Sequence, residues 1–447
     1  MKPLLSPFPY QARGADWLAL HPKVFLADVM GLGKSGQAVI ASDIVGARNI
    51  LVICPANVRC NWEREFERFS PLDRPCRLVV SGSTPLPASG VVVISYDLAL
   101  ARAKELRAKT WDVLILDEAH FLKERDSKRT KAIYGHGKRQ VGIAANVKYV
   151  WPLSGTPAPN DASELWTHLH FAGITQLDYW DYVFRYCTGF NTDYDYKVTG
   201  HQNVQELKAL IKPFFLRRTK HDVELDLPDL YYQTVTIERS DAETALDATF
   251  NANDLSASDR SLRAALWACV NDEARIKALE SQAPALATLR RYIGLAKVPA
   301  ICDLLAEELT LNPTLRLCLF AQHTGVVEAT LERLSAFGAV GLYGKTAQAQ
   351  RQAHIDAFAN DPSCRVFVGN IQAAGVGIDG LQRSCSEVVF LEQDWVPSNN
   401  AQAVARISRI GQKMSVRVRI FSLYGSVDEE VQDALTRKSI ELTKIDF

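Results

Sequence analysis

The stretch Val24 to Gln37, VFLADVMGLGKSGQ, decides the fold. Its apolar start, Val24-Phe25-Leu26, predicts a buried strand. A glycine-rich turn follows, and from Lys34 the chain continues through Gln37-Ala38-Val39-Ile40 with helical character. Strand, loop and helix in that order make a phosphate-binding loop. A triphosphate needs several backbone N–H groups converging on it, and the helix N-terminus adds its dipole. Gly31 and Gly33 permit the turn and the close approach. Lys34 supplies a point charge for the β- and γ-phosphates, and the Ser35 hydroxyl suits Mg²⁺. Asp28 stands where the general GxxxxGK[ST] pattern has its first glycine. A glycine-rich turn before an ordinary helix is the alternative that this segment alone leaves open.

A chain of 447 residues has room for about two or three domains, each with a full core. Hydrophobic content of 47% and charged content of 23% are those of an ordinary globular protein. Lys+Arg and Asp+Glu both total 51, so any nucleic-acid contact must come from local basic patches rather than a global field. The nine cysteines form no CxxC pair and have no histidine at zinc-ligand spacing, which predicts reduced thiols in a cytoplasmic protein. No apolar run approaches transmembrane length, and the proline-broken start MKPLLSPFPY lacks a signal-peptide core, so no membrane partner is expected.

Buried strands are predicted at Ile50 to Cys54, Val91 to Ile94, Val113 to Leu116 and Tyr149 to Leu153, separated by helical or polar segments. That alternation predicts a parallel sheet covered on both faces, with ligands beyond the carboxyl ends of the strands. Ahead of them, Gln11 offers an amide donor and acceptor that suit an adenine edge, or simply opens a helix in solvent. Asn57 and Arg59 follow one strand and Ser95-Tyr96 another; such groups can hold a phosphodiester backbone or be solvated loop residues. After Val113 to Leu116 come Asp117-Glu118-Ala119-His120. Adjacent carboxylates repel unless a cation joins them, so Asp117 suits Mg²⁺ and Glu118 suits a water to be oriented or deprotonated. The basic residues Lys123, Arg125, Lys128, Arg129 and Lys131 fit either a track for DNA phosphates or a solvated helix face. Ser154-Gly155-Thr156-Pro157 forms a turn able to sense the phosphate site. Aromatic residues crowd Trp166 to Phe190, Asn191 to Gly200 reads as an exposed polar loop, and Phe214 to Lys220 carries Arg217 and Arg218 behind an apolar anchor, as a hinge, a phosphate contact or a surface turn.

A second strand–helix series is predicted from Gln233 to Glu238, Leu315 to Phe320, Arg365 to Val368, Val388 to Leu391 and Val416 to Phe421, with a mostly helical stretch from Asp241 to about Gly294. Its strand-end loops hold Gln322-His323-Thr324, Gly344-Lys345-Thr346, the segment from Gln372 to Asp379 and Asp394 to Pro397. Continued as a helix, Gln402, Arg406 and Arg409 would share one face. Two guanidiniums on one face call for an anion, and this half has no phosphate loop of its own. Its arginines are therefore expected to complete the first half's nucleotide site.

In order, PYQ, DxxGLGK[ST]xQ, DEAH, SGTP, the LRR-containing linker, GxGI and QxxxRxxRIGQ make the chain resemble the Swi/Snf-like branch of superfamily 2 helicase-related ATPases over nearly its whole length. Leu295-Ala296-Lys297-Val298-Pro299 resembles the compact, HARP-type annealing-helicase subgroup. The resemblance implies an α/β fold of two RecA-like P-loop domains, parallel sheets flanked by helices, with helical insertions. Residues 1–230 would form the first lobe with an insertion at about 160–213, and 231–447 the second with an insertion at about 240–296. It implies an ATP-dependent translocase on double-stranded DNA, forked or branched DNA included. The other readings are a strand-separating or strand-annealing helicase and an ATP-gated clamp with little turnover.

Gln11, Asp28, Gly31, Leu32, Gly33, Lys34 and Ser35 would bind ATP, with Gly377 and Gln402 coupling the lobes. Ser35 and Asp117 would hold Mg²⁺, Glu118 would act on the attacking water, and Arg406 and Arg409 would be arginine fingers. DNA contacts would come from Asn57, Arg59, Ser95, Gln322, His323, Lys345 and Gln372, and Arg217 and Arg218 would sit at the lobe junction. Val29, Ala405 and Ser408 depart from the family's usual glutamate, aspartate and histidine, which bears on lobe coupling rather than on ATP cleavage. The motor motifs use nearly the whole chain, so a nucleosome substrate is not expected. A monomeric, nucleoid-associated protein of bacterial or phage source, open to accessory protein partners, is.

Overall fold

The computed structural model describes residues 5–137, 140–191, 196–223, 225, 227–238, 283–372 and 380–444. The chain divides into two compact units, residues 1–225 with 438–447, and residues 226–437.

The strands of the first unit are β1 (Phe25–Leu26), β2 (Asn49–Cys54), β3 (Cys76–Val79), β4 (Gly90–Ser95), β5 (Val113–Asp117), β6 (Tyr149–Leu153), β7 (Cys187–Asn191), β8 (Tyr196–His201) and β9 (Phe215–Leu216). Seven of them form one sheet in the order β3-β4-β2-β5-β6-β1-β9, with every pairing parallel. The continuous Val/Ile/Leu runs of β2, β4 and β5 are buried, as a sheet covered on both faces requires. Three findings go beyond the sequence expectation. The strand β3 is a half-exposed edge whose apolar signal is weak. The predicted polar loop at Asn191 to Gly200 instead contributes to an antiparallel hairpin, β7 with β8, so the insertion is not purely helical. Phe215-Leu216, in the segment read as a hinge, a phosphate contact or a surface turn, adds β9 to the sheet beside β1, with Phe25 opposite Phe215 and Leu26 opposite Leu216.

In the second unit, β10 (Leu230–Ile237), β11 (Leu317–Ala321), β12 (Ala339–Leu342), β13 (Val366–Asn370), β14 (Glu387–Phe390) and β15 (Val416–Leu423) form a parallel six-stranded sheet ordered β10-β15-β14-β11-β13-β12. The four-residue β12 escaped the sequence reading. Residues 283–294 of the expected helical stretch belong to a long helix, Ala283–Leu311; the rest of that stretch lies outside the described residues. Within this helix Lys297 is fully buried, its Nζ donating to Phe421 O (3.0 Å) and to Asp428 Oδ2 (2.5 Å). The motif Leu295 to Pro299 is thus an anchor between that helix and β15.

Candidate nucleotide site

The strand β1 ends at Leu26, and the loop from Ala27 to Gly33 turns into the helix Lys34–Ile44. Gly33 sits at the helix entrance with φ +69°, a left-handed conformation that glycine adopts without penalty. A Cβ there would lie 2.3 Å from Gln11 Nε2, so Gln11 lies against the loop. Its Oε1 accepts from Phe8 N (3.0 Å), closing the N-terminus of the helix Pro9–Leu20, and its Nε2 donates to Leu32 O (3.3 Å). Both ends of that amide are engaged within the chain. Lys34 Nζ donates to Asp28 O (2.8 Å). Burial holds this ammonium below its usual range, opposed by the nearby carboxylates Glu118, Asp28 and Asp117. A Cβ on Gly155 would meet Met30 Cγ at 2.9 Å and Lys34 Nζ at 3.4 Å, so the Ser154-Gly155-Thr156 turn abuts the loop.

Asp28 is fully buried, and its carboxylate is spent on supporting the loop rather than left for a nucleotide. Arg218 grips it through Nε to Oδ1 (2.9 Å) and Nη2 to Oδ2 (2.5 Å), while Gln37 Nε2 donates to Oδ2 (3.0 Å). Arg218 also donates to Gln37 Oε1 (2.7 Å) and Tyr10 O (2.6 Å). Arg217 Nη1 donates to Ala27 O (3.1 Å) and Gly155 O (3.2 Å), tying the ends of β1 and β6 together. Strand β9 delivers both arginines to the phosphate loop. The sequence reading singled out both arginines but not these partners, which lie far off in sequence.

The parallel order β5-β6-β1 places Asp117-Glu118, Ser154-Thr156 and the phosphate loop beyond adjacent carboxyl ends. Asp117 Oδ2 accepts from Trp62 Nε1 (2.8 Å), Oδ1 accepts from Glu118 N (3.0 Å), and Tyr96 OH donates to Asp117 O (2.8 Å). Glu118 is held at φ 51°, a left-handed conformation rare for a side chain of its kind and costing on the order of 1 kcal/mol. His120 Nδ1 lies 3.3 Å from Glu118 Oε2 and 3.1 Å from Ser154 Oγ, which in turn accepts from Thr156 N (3.1 Å). A polar chain thereby runs from the DEAH segment to the SGTP turn. Thr156 Oγ1 is buried with no hydrogen-bond partner among the described residues.

Burial and the neighbouring Glu118 raise Asp117 to about 6, with Trp62 and Lys34 pulling the other way. A buried carboxylate so poised, with oxygen ligands and a lysine beside it, is the donor chemistry of a hard cation next to phosphate, so the residues fit Mg²⁺ and a nucleotide. The sign of the pH effect follows. Asp117 binds its proton more tightly folded than unfolded, so its contribution to stability falls as pH rises from about 4 to 6. Asp117→Asn is expected to raise the stability of the chain at pH 7, by about 2–3 kcal/mol at most. Denaturant titrations at pH 5 and pH 7 check this; a variant less stable than wild type at pH 7 contradicts it.

Of the residues assigned to DNA, Arg59 donates from Nε to Ala56 O (3.0 Å) and from Nη1 to Val79 O, bracing β3. Ser95 Oγ caps the helix Tyr96–Ala101 by accepting from Leu98 N (3.4 Å). Asn57 lies in the short 3-10 turn Ala56–Val58 after β2. The basic cluster is largely neutralised within the unit, by Lys123–Glu164 (2.5 Å), Arg125–Asp126 (2.9 Å), Lys131–Asp126 (3.0 Å) and Arg129–Asp97 (2.8 Å).

In the second unit, β11, β13 and β14 bring Gln322, His323 and Gln372 to one carboxyl edge. The buried Glu392 organises the first two, accepting from Gln322 N (2.9 Å), His323 N (2.9 Å) and His323 Nδ1 (2.7 Å). Gln372 Nε2 approaches Asp394 Oδ2 (3.5 Å), and Lys345 pairs with Glu328 (2.7 Å) on the exposed surface. Gln402 is buried in the helix Pro397–Val404. Arg406 and Arg409 lie beyond that helix, so the expected shared helical face is corrected. Ile407 is drawn fully into the core, and the buried Gln412 amide ties the turns by donating to Cys385 O (2.8 Å) and Ile407 O (3.3 Å). Gly377 lies outside the described residues.

The SNF2-related domain matches residues 10–265, and the helicase conserved C-terminal domain matches residues 296–411. A Caenorhabditis elegans protein, the SWI/SNF-related matrix-associated actin-dependent regulator of chromatin subfamily A-like protein 1 homolog, is 30% identical over 96% of this chain and 60% of its own. The human DNA annealing helicase and endonuclease ZRANB3 is 27% identical over 96% of this chain and 39% of its own. The chain therefore spans only part of the length of these relatives. Among solved structures, the Sulfolobus solfataricus SWI2/SNF2 ATPase core in complex with dsDNA is 25% identical, covering 99% of this chain and 96% of that one with a TM-score of 0.45. With one family's domain matching more than half of its length, the chain belongs to the SNF2-related family.

Proposed function

We propose that the chain is a DNA-dependent ATPase that hydrolyses ATP with Mg²⁺ and uses the energy to move along double-stranded DNA, remodelling DNA or protein–DNA complexes. One observation carries the reading: Lys34, Asp117-Glu118 and Ser154-Thr156 converge beyond the adjacent strands β1, β5 and β6. Lys34 and the backbone of Gly31, Leu32 and Gly33 bind the phosphates. Ser35 and Asp117 would hold Mg²⁺, which supplies charge neutralisation there. Glu118 positions the attacking water and takes its proton, and the His120–Ser154 bond passes the state of that site to the turn. Arg406 and Arg409 supply positive charge to the transition state. Gln322, His323, Lys345, Gln372, Asn57, Arg59 and Ser95 are the proposed DNA contacts, held in place by partners such as Glu392. The chain acts as a monomer on duplex DNA, forked or branched DNA included.

A second reading, strand annealing, is favoured by the similarity to the human DNA annealing helicase and endonuclease ZRANB3. ATPase assays with duplex DNA, single-stranded DNA, RNA or no polymer test the first reading, with triplex displacement and fork annealing run alongside. Duplex DNA is expected to stimulate most, together with triplex displacement. Equal rates with and without DNA overturn the motor, and RNA stimulating better than duplex overturns the substrate.

A further inference from the structure

The left-handed backbone of Glu118 persists only where contacts on both sides of the residue fix it. Ahead of it the Asp117 carboxylate and the Tyr96 hydroxyl do so. Behind it lies the 3-10 turn Ala119–Leu122, closed by Phe121 N donating to Glu118 O (3.0 Å) and Lys123 N donating to His120 O (3.2 Å). Turns of this kind are short and their hydrogen bonds poorly aligned, so the strained residue needs a further hold.

Two helices supply it at the buried Leu122 carbonyl. Thr130 Oγ1 of the helix Lys128–Tyr134 donates to Leu122 O (3.2 Å), and Thr167 Oγ1 of the helix Trp166–Ala172 donates to the same oxygen (2.8 Å). Both lone pairs of that oxygen are thereby used. A helical threonine ordinarily turns its hydroxyl back onto the carbonyl of the preceding turn. Thr167 instead reaches a carbonyl 45 positions away. Its helix is itself seated on the sheet, since His168 meets Phe25 of β1 edge-on (5.0 Å) and shares a hydrogen bond with Tyr134 OH (2.9 Å).

The next residue is gripped as well. Lys123 Nζ donates to Glu164 Oε1 (2.5 Å), which also accepts from Asn160 Nδ2 (2.7 Å), while Glu164 Oε2 accepts from Asn160 N (2.9 Å). Asn160 lies just beyond the SGTP turn, so one carboxylate joins the segments that follow DEAH and SGTP. Neutralising a basic cluster does not call for such a site. The carboxylates of Arg125–Asp126 and Arg129–Asp97 are 62% and 82% exposed, as expected of pairs that contribute little, whereas that of Glu164 is 9% exposed.

We propose that Glu164 and Thr167 are positioning residues for ATP hydrolysis: by holding Lys123 and the Leu122 carbonyl they fix the turn behind Glu118 and so aim its carboxylate at the attacking water. The proposal rests on the reading of Glu118 as the group that acts on that water. Both residues act through the backbone of the turn, so their loss misplaces the base and leaves the phosphate loop as it is. Misplacing a reacting group by about 1 Å costs up to about a hundredfold in rate.

Thr167→Val removes the hydroxyl at nearly constant volume, and Glu164→Gln removes the charge while leaving an amide oxygen for Asn160. Each is expected to lower kcat for duplex-stimulated ATP hydrolysis about tenfold to a hundredfold, with equilibrium binding of a fluorescent nucleotide within about twofold of wild type. Thr167→Ser keeps the hydroxyl and should recover most of the rate. Each variant is then combined with Glu118→Gln and followed by single-turnover hydrolysis. With the base already gone, either substitution should cost less than about a further twofold. A role in the general integrity of the unit would instead lower the rate of the Glu118→Gln chain by the same factor as that of wild type, and that result overturns the proposal. So does wild-type kcat in both single variants. Loss of nucleotide binding in both overturns it too, since the residues would then support the unit as a whole; loss in one alone leaves the other to decide. Wild type with no duplex-stimulated ATPase, or a Glu118→Gln chain that keeps about half the wild-type rate, overturns the underlying reading instead.

Discussion

Arg218→Ala is expected to destabilise the first unit by about 3–5 kcal/mol, the largest stability loss of any single substitution considered. Asp28 is fully buried and Arg218 is its bidentate partner. Removing the guanidinium leaves a carboxylate in the interior with one amide donor, Gln37 Nε2, to satisfy it. That is the costly half of a buried ion pair: the charge stays and its compensation goes. Removing both charges should cost much less, so Asp28→Asn with Arg218→Ala should recover a substantial part of the loss. Urea titration following the first unfolding transition of the single and double variants measures the coupling, which should exceed about 1 kcal/mol. Arg218→Ala within 1 kcal/mol of wild type would remove the network's claim to support the loop. Because Arg218 also donates to Tyr10 O and Gln37 Oε1, the same variant should loosen the seat of Gln11 and weaken nucleotide binding together with stability.

The residues that carry this effect show where sequence reading stops. The strand–loop–helix at Val24 to Gln37 and the apolar strand ending in Asp117-Glu118 were legible because each is a local pattern with its own chemistry, and alternation of apolar runs with helices predicts parallel sheets. Asp28 stood out as a missing glycine and, through the DxxGLGK[ST]xQ pattern, as a nucleotide-site residue. Its partner lies 190 positions away and reaches it because β9 joins the sheet beside β1, a two-residue strand with almost no signal of its own. Trp62 belongs to the same class: 55 positions from Asp117, it holds that carboxylate by one indole N–H. The reading of Gln402, Arg406 and Arg409 on one helical face failed for a different reason. Spacing along the chain takes no account of Ile407 entering the core or of Gln412 closing the turns, and tertiary burial ended the helix at Val404.

Glu118→Gln is expected to lower ATP turnover by about a hundredfold to ten-thousandfold while leaving nucleotide affinity close to wild type. Several features single out this side chain. It follows directly on β5, its backbone is held in a left-handed conformation that ordinary loops avoid, and its Oε2 faces His120, which is bonded to the Ser154 turn. Strain of that kind persists where surrounding contacts fix it, here the Asp117 Oδ1 acceptor on the Glu118 N–H and the Tyr96 hydroxyl on Asp117 O. Glutamine keeps the size and the hydrogen-bonding reach but cannot take a proton from water, so the loss should fall on kcat. Lys34→Ala supplies the contrast, since removing the ammonium beside the loop should raise the KM for ATP as well as lower turnover. The pair of variants separates proton transfer from phosphate binding. Single-turnover hydrolysis with equilibrium binding of a fluorescent nucleotide measures both, and a Glu118→Gln chain that keeps half the wild-type rate would move the base to another group. His120→Ala refines the argument: if the link to Ser154 carries the state of the site onward, this variant should retain basal hydrolysis better than Glu118→Gln while losing stimulation by duplex DNA.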